Sequence, residues 1–226
     1  MTEEILRIAI IAVPIVIAIT FHEAAHGFVA KMFGDDTAAR LGRVTFNPIK
    51  HIDLFGTILL PAFLLLAHAG FVFGYAKPVP VNFGALRNPK RDMIWVAAAG
   101  PGTNLALALA SAVLLYLVLH AGAAPDRILT TFLLASIEIN LVLAILNMLP
   151  LPPLDGGRVM TGLLPHELAA PYARIEPYGF LIIIAALFLL PWLGAKLGMD
   201  LNIFEWLIAR PVNWLMRGTI HIIGTL

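Results

Sequence analysis

Residues His22-Glu23-Ala24-Ala25-His26 carry the first chemistry visible in this chain. Two histidines four positions apart share one face of a helix and can hold a single divalent ion through their imidazoles. A glutamate between them is placed to act as general base on a water bound to that ion. The set is that of zinc-assisted hydrolysis, in which the metal lowers the pKa of its water towards about 7 and polarises a carbonyl. The same residues would also suit a buried, mutually hydrogen-bonded histidine pair. Two imidazoles and a water leave zinc one protein ligand short. Cysteine is absent from the 226 residues, so the remaining ligand must be an N or O donor. The best placed is Asp155, in Asn147-Met148-Leu149-Pro150-Leu151-Pro152-Pro153-Leu154-Asp155-Gly156-Gly157. There it also reads as the cap of a new helix over 157–164, and an Asp before Gly after a proline run is commonly a turn residue.

The elements that must position these groups belong to a membrane. The chain is 60% hydrophobic and 13% charged, with a net charge of +1, and its mean hydropathy is +0.88. That balance fits a multi-spanning protein, leaves no room for a separate aqueous domain and points to no nucleic-acid partner. One membrane-embedded domain is expected over 1–226, with a core at about 5–165 and C-terminal helices at 178–226. The first apolar run is too long, and too polar at His22–His26, for a cleaved signal peptide, so it is expected to stay as the first helix. Apolar segments follow at 54–73, 93–120, 129–149 and 178–195. Residues 40–46, closed by Asn47-Pro48, read as a short strand, and 74–90 as an extended segment whose prolines exclude a continuous helix. The stretch 202–226, broken by Arg210-Pro211 and Arg217, reads as an interfacial amphipathic helix. The expected fold class is an all-α polytopic helical bundle with a small membrane-associated β element and a re-entrant segment.

Charge sets the topology. Lys31, Arg40, Arg43 and Lys50 precede the 54–73 segment, and Lys77, Arg87, Lys90 and Arg91 follow it. The positive-inside rule places both groups in the cytoplasm, so 54–73 enters and leaves on one side and the N-terminus lies outside. Metal geometry requires the same. His26 is only ~8 Å of helix from Lys31, so the histidines lie nearer the cytoplasmic end, and Asp155 must return to that end. Glu138, Asn140 and Asn147 are polar within an apolar helix. Asn140 and Asn147, seven apart, share a face, and Glu138 points elsewhere without an evident partner.

Three ordered motifs, His22-Glu23-x-x-His26, Ala98-Ala99-Gly100-Pro101-Gly102-Thr103-Asn104 and Asn147-x-x-Pro150-x-Pro152-x-Leu154-Asp155-Gly156-Gly157, resemble the signatures of the site-2 protease family of intramembrane zinc metalloproteases. The resemblance covers about residues 15–165. It implies His22, His26 and Asp155 as ligands of one Zn²⁺, Glu23 as catalytic base, and Asn104, Asn140 and Asn147 as residues lining the active site. Tyr75-Ala76-Lys77-Pro78-Val79-Pro80-Val81-Asn82 resembles the compact branch, which lacks PDZ and regulatory domains. An edge at Leu41–Phe46, with Arg43, Val44 and Thr45 as contacts, is expected to bind unwound substrate by strand addition. The expected activity is endopeptidase cleavage of transmembrane segments in a multi-pass protein of the cell membrane. Transmembrane protein substrates and the lipid bilayer are the expected partners, with a homodimer left open. The alternatives are a metal or ion transporter and a catalytically silent membrane-protein binding module.

Overall fold

The computed structural model describes residues 2–66, 74–122 and 126–225; His68 and the end of the 54–73 segment lie outside them. Helices α1 (Thr2–Met32), α4 (Pro89–Leu119) and α5 (Arg127–Asn147) form the centre of the bundle. The stretch Ile8–Met32 has a mean hydropathy of 2.1, and its length of about 37 Å exceeds a hydrocarbon core of about 30 Å. The stretches Pro89–Leu119 and Arg127–Asn147 also qualify as spans. So does Glu176–Leu197, made of α8 (Glu176–Ile184), a π-helical turn at 185–189 and α9 (Leu190–Leu197). Side chains such as Ile8, Leu109 and Leu181 point outward. In a bilayer that is their favourable environment, and each helix satisfies its own backbone. The chain is an all-α, multi-pass membrane protein.

Polar contacts between helices fix their directions. Asn104 Nδ2 donates to Ala18 O at 3.3 Å, and His26 Nδ1 lies 2.7 Å from Val96 O, so α1 and α4 are antiparallel. Asn104 Nδ2 also donates to Asn140 Oδ1, while Ser111 pairs with Ser136, so α4 and α5 are antiparallel too. Helices α1 and α5 therefore run the same way. The chain between Met32 and Pro89 begins and ends at one end of the bundle. Within it, a π-helical turn at Leu54–Leu59, capped by the Asp53 carboxylate on Gly56 N, leads into α3 (Leu60–Leu66). The return is closed by Tyr75 N donating to Gly56 O at 3.1 Å and by Thr57 Oγ1 donating to Tyr75 O at 2.9 Å. A Cβ on Gly56 would stand 2.4 Å from the Tyr75 ring, which is why the crossing needs glycine there.

One expectation changes. The small β element is not formed: no strand occurs among the described residues. Residues 37–40 make the single turn α2 (Thr37–Arg40), and Gly42, at φ +63°, reverses the chain after it. Residues 75–82 are extended, but their backbone groups are taken by side chains and turns instead of a ladder. Lys77 N donates to His51 O, the Arg43 guanidinium donates to Lys77 O, Val79 N to Glu23 and Asn82 N to Asp35. Pro78 and Pro80 have no N–H to offer a neighbouring strand. The C-terminal stretch, read as an amphipathic helix, is helical and does not qualify as a span. Ile208 and Val212, in the turn before and the start of α10 (Arg210–Thr225), and Ile223 near its end are buried with Leu115, Leu133 and Ile137. Helical structure is continuous from Ile203, with Pro211 following a π-helical turn at 205–209, and Arg210 and Arg217 are exposed. One face of the helix packs against the bundle and the other is exposed. Helices α6 (Asp155–Leu163) and α7 (His166–Ala173) complete the fold beside the N-terminal end of α4.

Asp35 clips the extended segment to the end of α1. Its carboxylate accepts Thr37 N at 3.0 Å and Asn82 N at 2.7 Å. Burial pushes its pKa up, but the hydrogen bonds from Thr37 and Asn82 and the charge of Arg40 outweigh this and hold it below the usual carboxylate range. A depressed pKa gives stability that is present above about pH 4 and lost as pH falls through the folded-state value. Asp35→Ala should therefore lose about 2 kcal/mol at neutral pH. In detergent melts, its Tm and that of the wild type should converge on acidification.

Candidate active site

Ala18, His22, His26 and Ala30 recur every four residues and are all buried, so they form the face of α1 turned to α4 and α5. The two imidazoles meet edge to face with centroids 4.8 Å apart. Each Nδ1 faces an oxygen of α4: His22 faces Asn104 Oδ1 at 2.6 Å, and His26 faces Val96 O at 2.7 Å. With Nδ1–H given to those oxygens, both Nε2 lone pairs point to one place. Asp155 Oδ2 stands there, 3.1 Å from His22 Nε2 and 3.4 Å from His26 Nε2.

Asp155 arrives by close backbone packing. It is the first residue of α6 and not its cap, since Leu154 holds the cap position without a side-chain bond. Its carboxylate is thereby free to turn to the histidines. A Cβ on Gly156 would lie 2.3 Å from Met148 O, and one on Gly157 would lie 2.3 Å from Pro152 N. The paired glycines let α6 begin against the turn that ends α5. Tyr172 on α7 donates its hydroxyl to Pro150 O at 2.7 Å and braces that turn.

Two imidazole lone pairs facing a carboxylate are favourable only with a proton or a cation between them. Donor atoms about 2.0–2.1 Å from a tetrahedral zinc stand about 3.3 Å apart, close to the two distances found. Gly100 supplies the space. A Cβ there would come within 2.5 Å of both His22 Nε2 and His26 Nε2. The residues present fit zinc.

The other residues singled out in the sequence separate into groups. Asn104 touches His22 directly, and Asn140 lies behind it, accepting from Asn104 Nδ2 and donating to Ser136 O. Asn147 donates within its own helix to Leu143 O. Glu138 is exposed on another face of α5. Glu23 sits one residue past His22, and its Oε2 accepts Val79 N at 2.7 Å. Val44 packs near Gly27 beside Val79. Arg43 is buried behind them with its guanidinium on the carbonyls of Lys77 and Pro78, and Thr45 O is held by His51 Nε2. Sequence reasoning missed Gly100 as the wall of the cluster and Val79 N as a partner of Glu23. The signal for Val79 was the alternation Pro78-Val79-Pro80, which leaves one N–H in three residues.

Gly100→Ala should abolish stoichiometric zinc binding, read as metal content, in a protein that still folds. Asn104→Ala should weaken zinc affinity about 10- to 100-fold by releasing the His22 ring.

Comparison with known proteins agrees with this arrangement. The model of peptidase family M50 matches residues 10–122 and 117–190. The chain is 42% identical over 185 residues to "Putative zinc metalloprotease YwhC" of Bacillus subtilis, covering 80% of each. It is 31% identical over 172 residues to "Putative zinc metalloprotease Rip2" of Mycolicibacterium smegmatis, covering 75% of this chain and 63% of the relative. Rip2 of Mycobacterium tuberculosis H37Rv is 30% identical over 194 residues, covering 84% and 70%. No solved structure matches the chain. The site-2 protease resemblance and the family match therefore coincide: this chain is a member of peptidase family M50.

Proposed function

We propose that the protein is an intramembrane zinc-dependent endopeptidase that hydrolyses peptide bonds within transmembrane segments of other proteins. The observation that carries this reading is the convergence of two imidazole Nε2 atoms and one carboxylate beside the bare Cα of Gly100. His22, His26 and Asp155 would hold the zinc. When bound there, the metal supplies Lewis acidity, polarising the scissile carbonyl and acidifying a water. Glu23 takes the proton of the attacking water at its carboxylate and returns it to the leaving amine. Asn104 and Val96 keep the two rings turned inward.

A helical substrate hides its peptide bonds in its own hydrogen bonds and must unwind to be cut. We place the unwound stretch against Val44 and Thr45, beside the extended segment that carries Val79. Nearly all the cationic residues flanking 54–73 lie at one end of the bundle, which supports a cytoplasmic position for that end and an outside N-terminus. The Gly56–Tyr75 closure supports a re-entrant reading of the 54–73 segment.

The test compares peptide termini in membranes of the native host carrying wild-type protein or Glu23→Gln. New termini inside transmembrane segments, present only with Glu23 intact, are expected. Unchanged termini with zinc still bound to a normally expressed variant would favour transport or binding instead.

A further inference from the structure

Arg43 is 8% exposed and makes no ion pair with a carboxylate among the described residues. Its Nη2 donates to Lys77 O at 2.7 Å and to Pro78 O at 3.4 Å. Its Nε is buried without a partner, as is Nδ1 of neighbouring His51. Burying a guanidinium against neutral carbonyls is unfavourable in itself, and unsatisfied buried atoms are uncommon in folded proteins. The arrangement therefore asks for a compensating role. The carbonyls that Arg43 holds belong to the two residues immediately before Val79. Val79 N is the only N–H between Pro78 and Pro80, and it reaches Glu23 Oε2 at 2.7 Å. On the other side Lys77 N is tied to His51 O at 2.9 Å, and His51 Nε2 donates to Thr45 O at 2.9 Å. The strap over 75–82 is thus gripped on both edges one or two residues before the point where it touches the base. The Val79 bond occupies one Glu23 oxygen and leaves the other for water.

We propose that Arg43 is a positioning residue for the catalytic base, acting through the strap to hold the Val79 N–H on Glu23. The proposal rests on the proteolytic reading for its kinetic consequence, but its structural consequence is independent of it. Misplacing a catalytic group by about 1 Å can cost about 100-fold in rate. The expected effect of Arg43→Met is a loss of that order in kcat, with KM and zinc content little changed.

The experiment uses the full chain in detergent, with a quenched-fluorescent apolar peptide as probe and hydrogen exchange of the 75–82 region followed by mass spectrometry. Arg43→Met should speed exchange at Val79. Val79→Pro, which deletes the N–H, should lower kcat by a similar factor. In the double variant the losses should not add, because both substitutions break one contact. Unchanged exchange at Val79 in Arg43→Met overturns the proposal whether or not the probe is cleaved. Fully additive losses, or a loss that appears in zinc content, also overturn it. Failure of the wild type to cleave the probe would count against the proteolytic reading, and the exchange result would still decide the role of Arg43.

Discussion

A backbone carbonyl in the middle of α5 decides which nitrogen of His22 carries its proton. Ser136 O can only accept, so Asn140 must turn its amide nitrogen there and present its oxygen to Asn104. Asn104 then has its own nitrogen committed to Asn140 Oδ1 and Ala18 O. Its oxygen is left for His22, and His22 must donate from Nδ1. Nε2 is left bare. His26 reaches the same state in one step through Val96 O. Every property of the cluster follows from these two fixed rings, including its affinity for a cation and the usefulness of the space beside Gly100.

The same relay holds the helices in register. Asn104 and Asn140 are 0% and 1% exposed, in a setting where water is scarce and an unpaired amide costs several kcal/mol. Sliding α4 against α1 or α5 by one turn would strand several polar groups at once. Small residues allow the helices to come close enough for the relay to close. Ala18, Ala24 and Ala30 are fully buried on α1, and Gly162 lets α6 lie against Ile94 of α4. Polar specificity and close packing depend on each other here.

Much of this was legible from residue spacing. Four-residue spacing put His22 and His26 on one face, and the charges around 54–73 required the chain between α1 and α4 to return to the end it left. The antiparallel contacts of α1 with α4 match that return. The strand at 40–46 does not form, because a strand depends on a neighbour with available N–H groups. Pro78 and Pro80 withdraw them from the neighbouring 75–82 segment. The Arg210-Pro211 pair does not interrupt the helix, because a π-helical turn at 205–209 directly precedes the proline. Gly100 was not legible as the wall of the cluster, because a sequence shows that a side chain is missing, not what fills its place. The part played by Asn140 depends on a carbonyl, and main-chain atoms carry no residue-specific signal.

The depth of the cluster has a further consequence. His26 is followed by six residues of α1, roughly 9 Å of helix, whereas Ile8 to His22 spans about 21 Å. On the proteolytic reading, a transmembrane helix cut at that level is divided unequally. The fragment on the near side keeps only a couple of apolar turns, too few to anchor it against water. The fragment on the far side keeps most of its span and stays in the bilayer. Cleavage at this depth is thereby directional, setting free the portion attached at the near face and retaining the other.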